Sequence, residues 1–368
     1  MSKINDLIKE MCPNGVEFKK LEDCCNILDN KRKPISKGIR KMGEYPYYGA
    51  NGIQDYISDY IFDGKYVLVG EDGSVQTPNG TPIVNWAIGK IWVNNHAHII
   101  EEIDGVSLRY LYHYLQIVDV KDLIHGNIPK LNQSNFRNIK IAVPPLEVQE
   151  EIVKILDKFG ELEAELEAEL EARKSQYEFW RGKLFENNSK IIRLGELCSI
   201  KTGSKPKDIL ELGDYEYINA GTTNSGYTTI TNAKGDCVTT PSRGQGGIGF
   251  VGFQENDFWC GPLCYQIRTL TDKLTNKYLY YYMLAHSDYI LGLKHEGGVP
   301  AVNIKELQEM PICIPTLEEQ ERVVNILDKF DKLINDISEG LPAEIELRRK
   351  QYEYYRNKIL SFEVFNEV

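Results

Sequence analysis

The residues with most to offer a partner are cations and amides in two stretches that also contain glycine, proline and serine. Lys31, Arg32, Lys33, Lys37, Arg40 and Lys41 crowd the first stretch, and Lys201, Lys205 and Lys207 mark the second. Cationic loops beside strands suit phosphate contacts, which position a protein on a duplex without reading it. Reading bases needs Arg, Asn, Gln or similar groups aimed into a groove. Tyr47, Tyr48 and Asn51, then Asn219, Thr222, Arg243 and Gln245, stand in turn-like segments; with Asn132 and Asn303 they complete the candidate contacts. Each residue alone could equally serve an ordinary surface or turn role, so the set carries the expectation.

Other patterns suggest chemistry that their surroundings do not support. Gly244-Gln245-Gly246-Gly247-Ile248-Gly249 fits the spacing of a dinucleotide loop. The residues after it, Phe250-Val251-Gly252-Phe253, read as a strand where a pyrophosphate needs a helix. His96 and His98 resemble metal ligands, but in an internal repeat Trp92 aligns with Trp259 and sets Leu263 and Tyr265 opposite them. Two satisfied histidines are expected, and no metal site is assigned. Of eight cysteines, Cys260 and Cys264 stand four apart with no second Cys or His pair, so reduced, mostly buried thiols are expected. Cys25 and Cys198 read as equivalent core positions, and no residue is assigned a catalytic role.

The elements that must position these residues occur twice. Val143-Pro144-Pro145-Leu146-Glu147-Val148-Gln149-Glu150 returns as Ile314-Pro315-Thr316-Leu317-Glu318-Glu319-Gln320-Glu321, and Ile155-Leu156-Asp157-Lys158-Phe159 returns as Ile326-Leu327-Asp328-Lys329-Phe330, both 171 residues on. Gly126-Asn127-Ile128-Pro129 matches Gly297-Gly298-Val299-Pro300 at that offset, and Tyr110-Leu111-Tyr112 matches Tyr278-Leu279-Tyr280 at 168. Gln176-Tyr177-Glu178 matches Gln351-Tyr352-Glu353 at 175, so the second copy has gained four residues. Between the repeated motifs, residues 16–145 and 190–314 are rich in Tyr, Ile, Val and Gly. Runs such as Tyr66–Val69 and Lys90–Val93 predict strands, with a helix near Leu108–Ile117 and another near Thr275–Leu284. Each segment is therefore α+β.

Two long helices follow the segments. Ile152, Ile155, Phe159, Leu162, Leu166 and Leu170 step by three or four along the first, and Val323, Leu327, Phe330, Ile334 and Ile337 along the second. Glu161-Leu162-Glu163-Ala164 is repeated at 165–168 and 169–172, giving a leucine every fourth residue. Such a stripe drifts around a helix and needs a partner that follows it. The other copy's helix, packed antiparallel, is the expected partner, and the glutamates are expected in solvent. Glu339-Gly340-Leu341-Pro342 predicts a break near 340–342. Ile4–Met11 falls 173 residues before Tyr177–Leu184, so the two chain ends are expected to meet.

A net charge of −11 argues against a polybasic DNA binder. Most of that charge is in the helices: residues 146–186 carry six Lys/Arg against twelve Asp/Glu, and residues 316–368 carry eight against twelve. The globular segments are near neutral and free to present basic faces. The N-terminus lacks a signal-type apolar core and no window has the apolar length of a membrane span, so no membrane contact and a cytoplasmic location are expected.

This order of segments, with Pro-Leu-Glu-x-Gln-Glu, Ile-Leu-Asp-Lys-Phe, Arg173-Lys174-Ser175-Gln176-Tyr177-Glu178 and Arg349-Lys350-Gln351-Tyr352-Glu353, resembles the specificity subunits of type I restriction-modification systems over nearly the whole chain. The resemblance implies an N-terminal helix at 1–15 packed near the C-terminus, target-recognition domains at 16–145 and 187–315, and spacer helices at 146–186 and 316–368. It implies a non-catalytic, pseudo-twofold α+β protein with two long antiparallel coiled-coil helices. Each domain would read half of a split double-stranded DNA target, and the helices would set the spacing and dock two modification (methyltransferase) subunits. Restriction (translocase/endonuclease) subunits would complete the complex. S-adenosylmethionine, ATP and Mg are expected on those partners and no cofactor on this chain. Two other readings were open at this point: the recognition part of a single-chain restriction-modification enzyme, against which the lack of an Asn-Pro-Pro-[Phe/Tyr] motif counts, and a coiled-coil scaffold with no DNA role.

Overall fold

The computed structural model describes residues 2–73, 75–186, 190–295 and 298–363. Gly297 of the second Gly-x-x-Pro segment lies outside the described residues, as do 187–189 at the expected start of the second domain and 364–368 at the end. The chain forms two compact units, Met1–Leu166 with Ile345–Val368, and Glu167–Glu344. The division cuts inside the first long helix, among the Glu-Leu-Glu-Ala tetrads, and not at its ends.

In the first unit a six-stranded sheet runs in the order Asn26–Ile27, Ala97–Glu101, Phe62–Gly70, Val84–Val93, Met42–Gly49, Gly52–Ile57. Val67, Val69 and Ile100 from this sheet pack on Tyr110, Leu111 and Leu115 of the helix Leu108–Leu115 and on Ile141. A second unit core repeats the plan. Its sheet has the order Cys198–Thr202, Cys264–Thr269, Cys237–Pro241, Gly252–Gln254, covered by the helix Asn276–Ala285. Even the parallel pairing recurs: Tyr47 lies opposite Trp92, and Tyr217 opposite Trp259. Seven of the eight cysteines are buried and all are free thiols. Burial raises the Cys198 thiol to about 12 and moves Cys25 further up, so both are poor nucleophiles at neutral pH.

The long helix spans Leu146–Lys183, 38 residues, or about 57 Å at 1.5 Å per residue. Val148, Ile152 and Leu156 are buried in the globular core of the first unit, together with Ile359 and Leu360. The stripe therefore starts as a domain contact and becomes a helix seam further on. There Phe159 packs on Tyr352 and Tyr355 (ring centroids 6.2 and 5.6 Å), and Glu163 accepts from Arg349 at 2.5 Å. Rising numbers on one helix meet falling numbers on the other, so this pair is antiparallel. Ile155, Leu162 and Leu166 are half-buried. Glu163 is an exception to the expected solvated glutamates. In the second unit Leu170 packs on a core containing Val323, Leu327 and Ile334, and Tyr177 meets Phe330 at 6.2 Å.

The second helix is broken into Leu317–Asn335 and Leu341–Leu360. The Gly340 N–H donates to the Asp336 carbonyl at 3.0 Å, and a Cβ there would lie 2.6 Å from that oxygen. Ile337 corrects the packing expectation: it lies beyond Asn335, where helical spacing no longer holds it to one face, and is 86% exposed. At the N-terminus the helix Ser2–Met11 buries Ile4 in the first unit's core, and the Val16 N–H donates to Glu363 O at 3.0 Å. Among the described residues no helix is long and apolar enough to cross a membrane.

Candidate nucleic-acid interface

The cationic stretches leave matching ends of the two sheets. In the first unit Gly70 lies opposite Ala97 and the Leu28 N–H bonds Ile99 O, so the loops after Ile27, after Gly70 and before Ala97 share one end. In the second, Thr202 and Thr240 both lie opposite Tyr265, so the loops after Thr202 and Pro241 share the matching end. A tryptophan fastens each cationic loop. Trp92 Nε1 donates to Lys33 O at 2.5 Å and Trp259 Nε1 to Ser204 O at 2.7 Å, while the N–H groups of Lys33 and Ser204 bond Val93 O and Cys260 O. Trp92 is buried, where an indole N–H requires such a partner, and Trp259 is half-buried.

Lys31, Lys33, Lys37 and Lys41 are exposed on the first loop, and Lys201, Lys205 and Lys207 on and after the strand Cys198–Thr202. Asn51 is exposed at the tip of a two-residue hairpin turn, where Gly49 lies opposite Gly52 and Gly52 has φ +110°. Thr222, Arg243 and Gln245 are exposed in the second unit. The remaining candidates are engaged by the fold itself. Tyr47 is 1% exposed, with its hydroxyl near Ile35 and the Arg40 guanidinium 4.1 Å above its ring; Tyr48 is also buried. Strand alternation sends Tyr47 and Tyr48 to opposite faces, and both faces are covered, Tyr47 packing with Ile57 and Trp92 and Tyr48 with Leu68 and Val93, which the sequence reading missed. Asn132 and Asn303 are helix N-caps, accepting from the N–H groups of Asn135 and Lys305, and Asn219 accepts from the Leu263 N–H.

Arg32 belongs to a buried ionic cluster. It donates to Glu71 and to the Ala97 carbonyl, each at 2.6 Å, and to Asp29 O at 2.9 Å; Lys130 reaches Glu71 at 3.1 Å. His98 is fully buried, bonded to Asp29 through Nδ1 (2.6 Å) and to the Leu131 carbonyl through Nε2 (2.8 Å). Burial opposes ionisation of Asp29, yet the His98 hydrogen bond and nearby Arg32 hold its carboxyl below the ordinary value. Asp29, Glu71 and His98 lie close enough to share a metal. Arg32 and Lys130 already supply the positive charge there, so a structural ion network accounts for the cluster. Tyr265 replaces His98 in the second copy and makes the same tether, donating to Val302 O at 3.0 Å.

These tethers hold a pair of loops whose backbone bonding is duplicated. Gly73 N–H to Pro129 O and Leu131 N–H to Glu71 O in one unit become Gly244 N–H to Pro300 O and Val302 N–H to Ser242 O in the other, all at 2.8–3.0 Å. Just after Pro129 and Pro300, Lys130–Leu131 in the first unit and the bridge residue Ala301 in the second form the outer strand of this loop pair. The glycine-rich run 244–249 leads into the strand Gly252–Gln254, as its sequence predicts for a turn and not for a helix-borne phosphate site.

The residues missed by sequence reading join each domain to its helix. Gln149 and Gln320 are fully buried. Gln149 accepts from the Ser107 N–H (2.9 Å) and donates to Gly105 O and Pro144 O; Gln320 accepts from the Thr275 N–H (3.0 Å) and donates to Lys273 O and Pro315 O. Ser107 and Thr275 are the N-caps of the two domain helices. About two turns on, Asp157 takes His113 Nε2 and Arg109 Nε, each at 2.8 Å, and Asp328 takes the Tyr281 hydroxyl at 2.5 Å with Lys277 at 3.5 Å. Identity of Gln and Asp in both copies was the available signal.

A family model described as the type I restriction modification DNA specificity domain matches twice, over residues 13–172 and 186–347. A Haemophilus influenzae protein named as a type I restriction enzyme specificity subunit is 36% identical over 375 residues, covering 94% of this chain and 96% of its own length. The EcoR124I/EcoR124II specificity subunit of Escherichia coli is 32% identical, over 69% of this chain and 71% of its own. A crystal structure of the type I restriction-modification S subunit from M. genitalium superposes with a TM-score of 0.63 at 16% identity, over 96% of this chain and 97% of that one. With both halves matched by the family model and a full-length relative at this identity, the chain belongs to the type I restriction-modification specificity-subunit family.

Proposed function

We propose that this chain is the non-catalytic specificity subunit of a type I complex, each unit reading one half of a split duplex target through the sheet end that carries the fastened cationic loop. The observation that carries this reading is the duplication of that end: lysine-bearing loops, held by equivalent tryptophans, in two domains of otherwise diverged sequence. Exposed lysines there suit phosphate contacts and the pinned loop pair suits base contact. The long helices set half-site separation and dock two methyltransferase subunits, with restriction subunits completing a cytoplasmic complex. S-adenosylmethionine, ATP and Mg belong to those partners in this reading.

Exchanging residues 190–313 for those of another family member, in the complex with the methyltransferase, is the test. Methylome sequencing should show one half-site replaced and the other retained. A change in both halves, or in neither, would sink the reading.

A further inference from the structure

The internal duplication serves as a built-in comparison between two loops under the same backbone constraints. Asp72 and Arg243 occupy the same place: each pairs in a bridge with the outer strand, to Lys130 and Ala301 respectively, and each precedes a glycine at positive φ, Gly73 at 83° and Gly244 at 134°. The fold makes the same demand of both, yet the side chains have opposite charge. Around Asp72 the charge is met from within, by His96 and Lys130. Around Arg243 those two places hold Leu263 and Ala301, neither of which can pair with a guanidinium. Arg243 is exposed on this pinned backbone: the Ser242 N–H bonds Leu263 O and the Gly244 N–H bonds Pro300 O on either side of it. Lys205 and Lys207, by contrast, lie in a stretch without regular structure.

We infer that Arg243 is a base-reading residue of the second domain and that it reads a guanine. The assignment rests on the DNA-reading function proposed above. A preorganised, exposed guanidinium is the group that pairs bidentately with guanine O6 and N7 in the major groove. Charge on a loose loop serves phosphates instead. An internal role for the charge would have preserved its sign or its partners between the copies, and neither is preserved.

The test uses the chain assembled with its methyltransferase partner, selecting bound duplexes from a randomised library and sequencing them at two salt concentrations. Arg243→Ala should relax one G·C position in one half-site, reducing discrimination there about five- to hundred-fold, and leave the other half-site intact. Lys205→Ala and Lys207→Ala should weaken binding to all sequences alike and lower the salt slope by about one each. An unchanged motif in Arg243→Ala, relaxation in both halves, or relaxation at an A·T position would overturn the assignment. Should that variant bind no duplex, Arg243→Gln decides: a position relaxed or shifted toward adenine supports base reading, and the original motif at full discrimination overturns it. If the unaltered complex shows no salt-sensitive duplex binding, the DNA-reading function fails and takes this assignment with it.

Discussion

Two fully buried polar residues, Gln149 and Gln320, tie each domain to its helix. Gln149 satisfies one N–H and two carbonyls in a place closed to water. Gln149→Ala should lower stability by about 1–3 kcal/mol, the cost of stranding buried polar groups; urea unfolding of the full chain checks it, and a loss near zero would refute the role. His113 makes the first unit pH-sensitive. Burial among Arg109, Arg356, Tyr352 and Asp157 lowers its pKa below 6.5, with the Asp157 hydrogen bond opposing. The unfolded chain therefore takes up this proton first as pH falls, so the stabilising effect is complete above about pH 6.5 and fades below it. The protection factors of the helix Leu108–Leu115, hydrogen exchange divided by the intrinsic rate at each pH, should fall between pH 7.5 and 5.5. His113→Tyr, which installs the second copy's Tyr281, should remove that dependence; the same fall in the variant would count against it. These roles were hidden in the sequence because a Gln or Asp repeated in both copies gives no sign of which groups it will meet. Asn132 and Tyr47 show the converse, polar or amphipathic residues that looked available and are a helix cap and a core residue.

At the scale of elements, the helices expected near 108–117 and 275–284 match Leu108–Leu115 and Asn276–Ala285 to within two residues, and proline and glycine located the start of the spacer helix and the break at Gly340. The short helices Gln133–Arg137, Ser287–Gly292 and Ile304–Gln308 carry too little pattern to be anticipated. What periodicity could not tell was the partner of each face. Val148, Ile152 and Leu156 belong to a domain core, while Phe159 belongs to a helix seam, though all lie on one continuous pattern. Phe159→Ala should cost roughly 2 kcal/mol, about half the loss at a fully buried site, and urea unfolding of the first unit measures it. Gly340→Ala should destabilise the turn after Asn335, because its Cβ would sit 2.6 Å from Asp336 O, 2.7 Å from Lys332 O and 2.9 Å from Leu333 O. Faster hydrogen exchange at the end of Leu317–Asn335 is the expected readout; unchanged exchange there would show that the turn relaxes freely.

For the molecule as a whole, the tetrads invite a change of length. One more Glu-Leu-Glu-Ala after residue 172 adds about 6 Å and about 40° of rotation to the helix. In the proposed function the preferred half-site separation should then grow by a base pair or two while the bases stay the same. Methylome sequencing that found new bases at the old separation would refute the helix's role as spacer. The sequence by itself determined the duplication, the α+β character of each copy, the two helices and the family, because all of these are written in repeated motifs and local periodicity. Only the tertiary structure decided which of the polar and charged residues face outward. Arg32, beside Lys31 and Lys33 in sequence, is claimed by Glu71 and by the Ala97 carbonyl from distant segments, and Arg243 is exposed where the places equivalent to Lys130 and His96 hold Ala301 and Leu263. Burial and pairing are properties of residues far apart in the chain, so one strand of text could name the candidates without choosing among them.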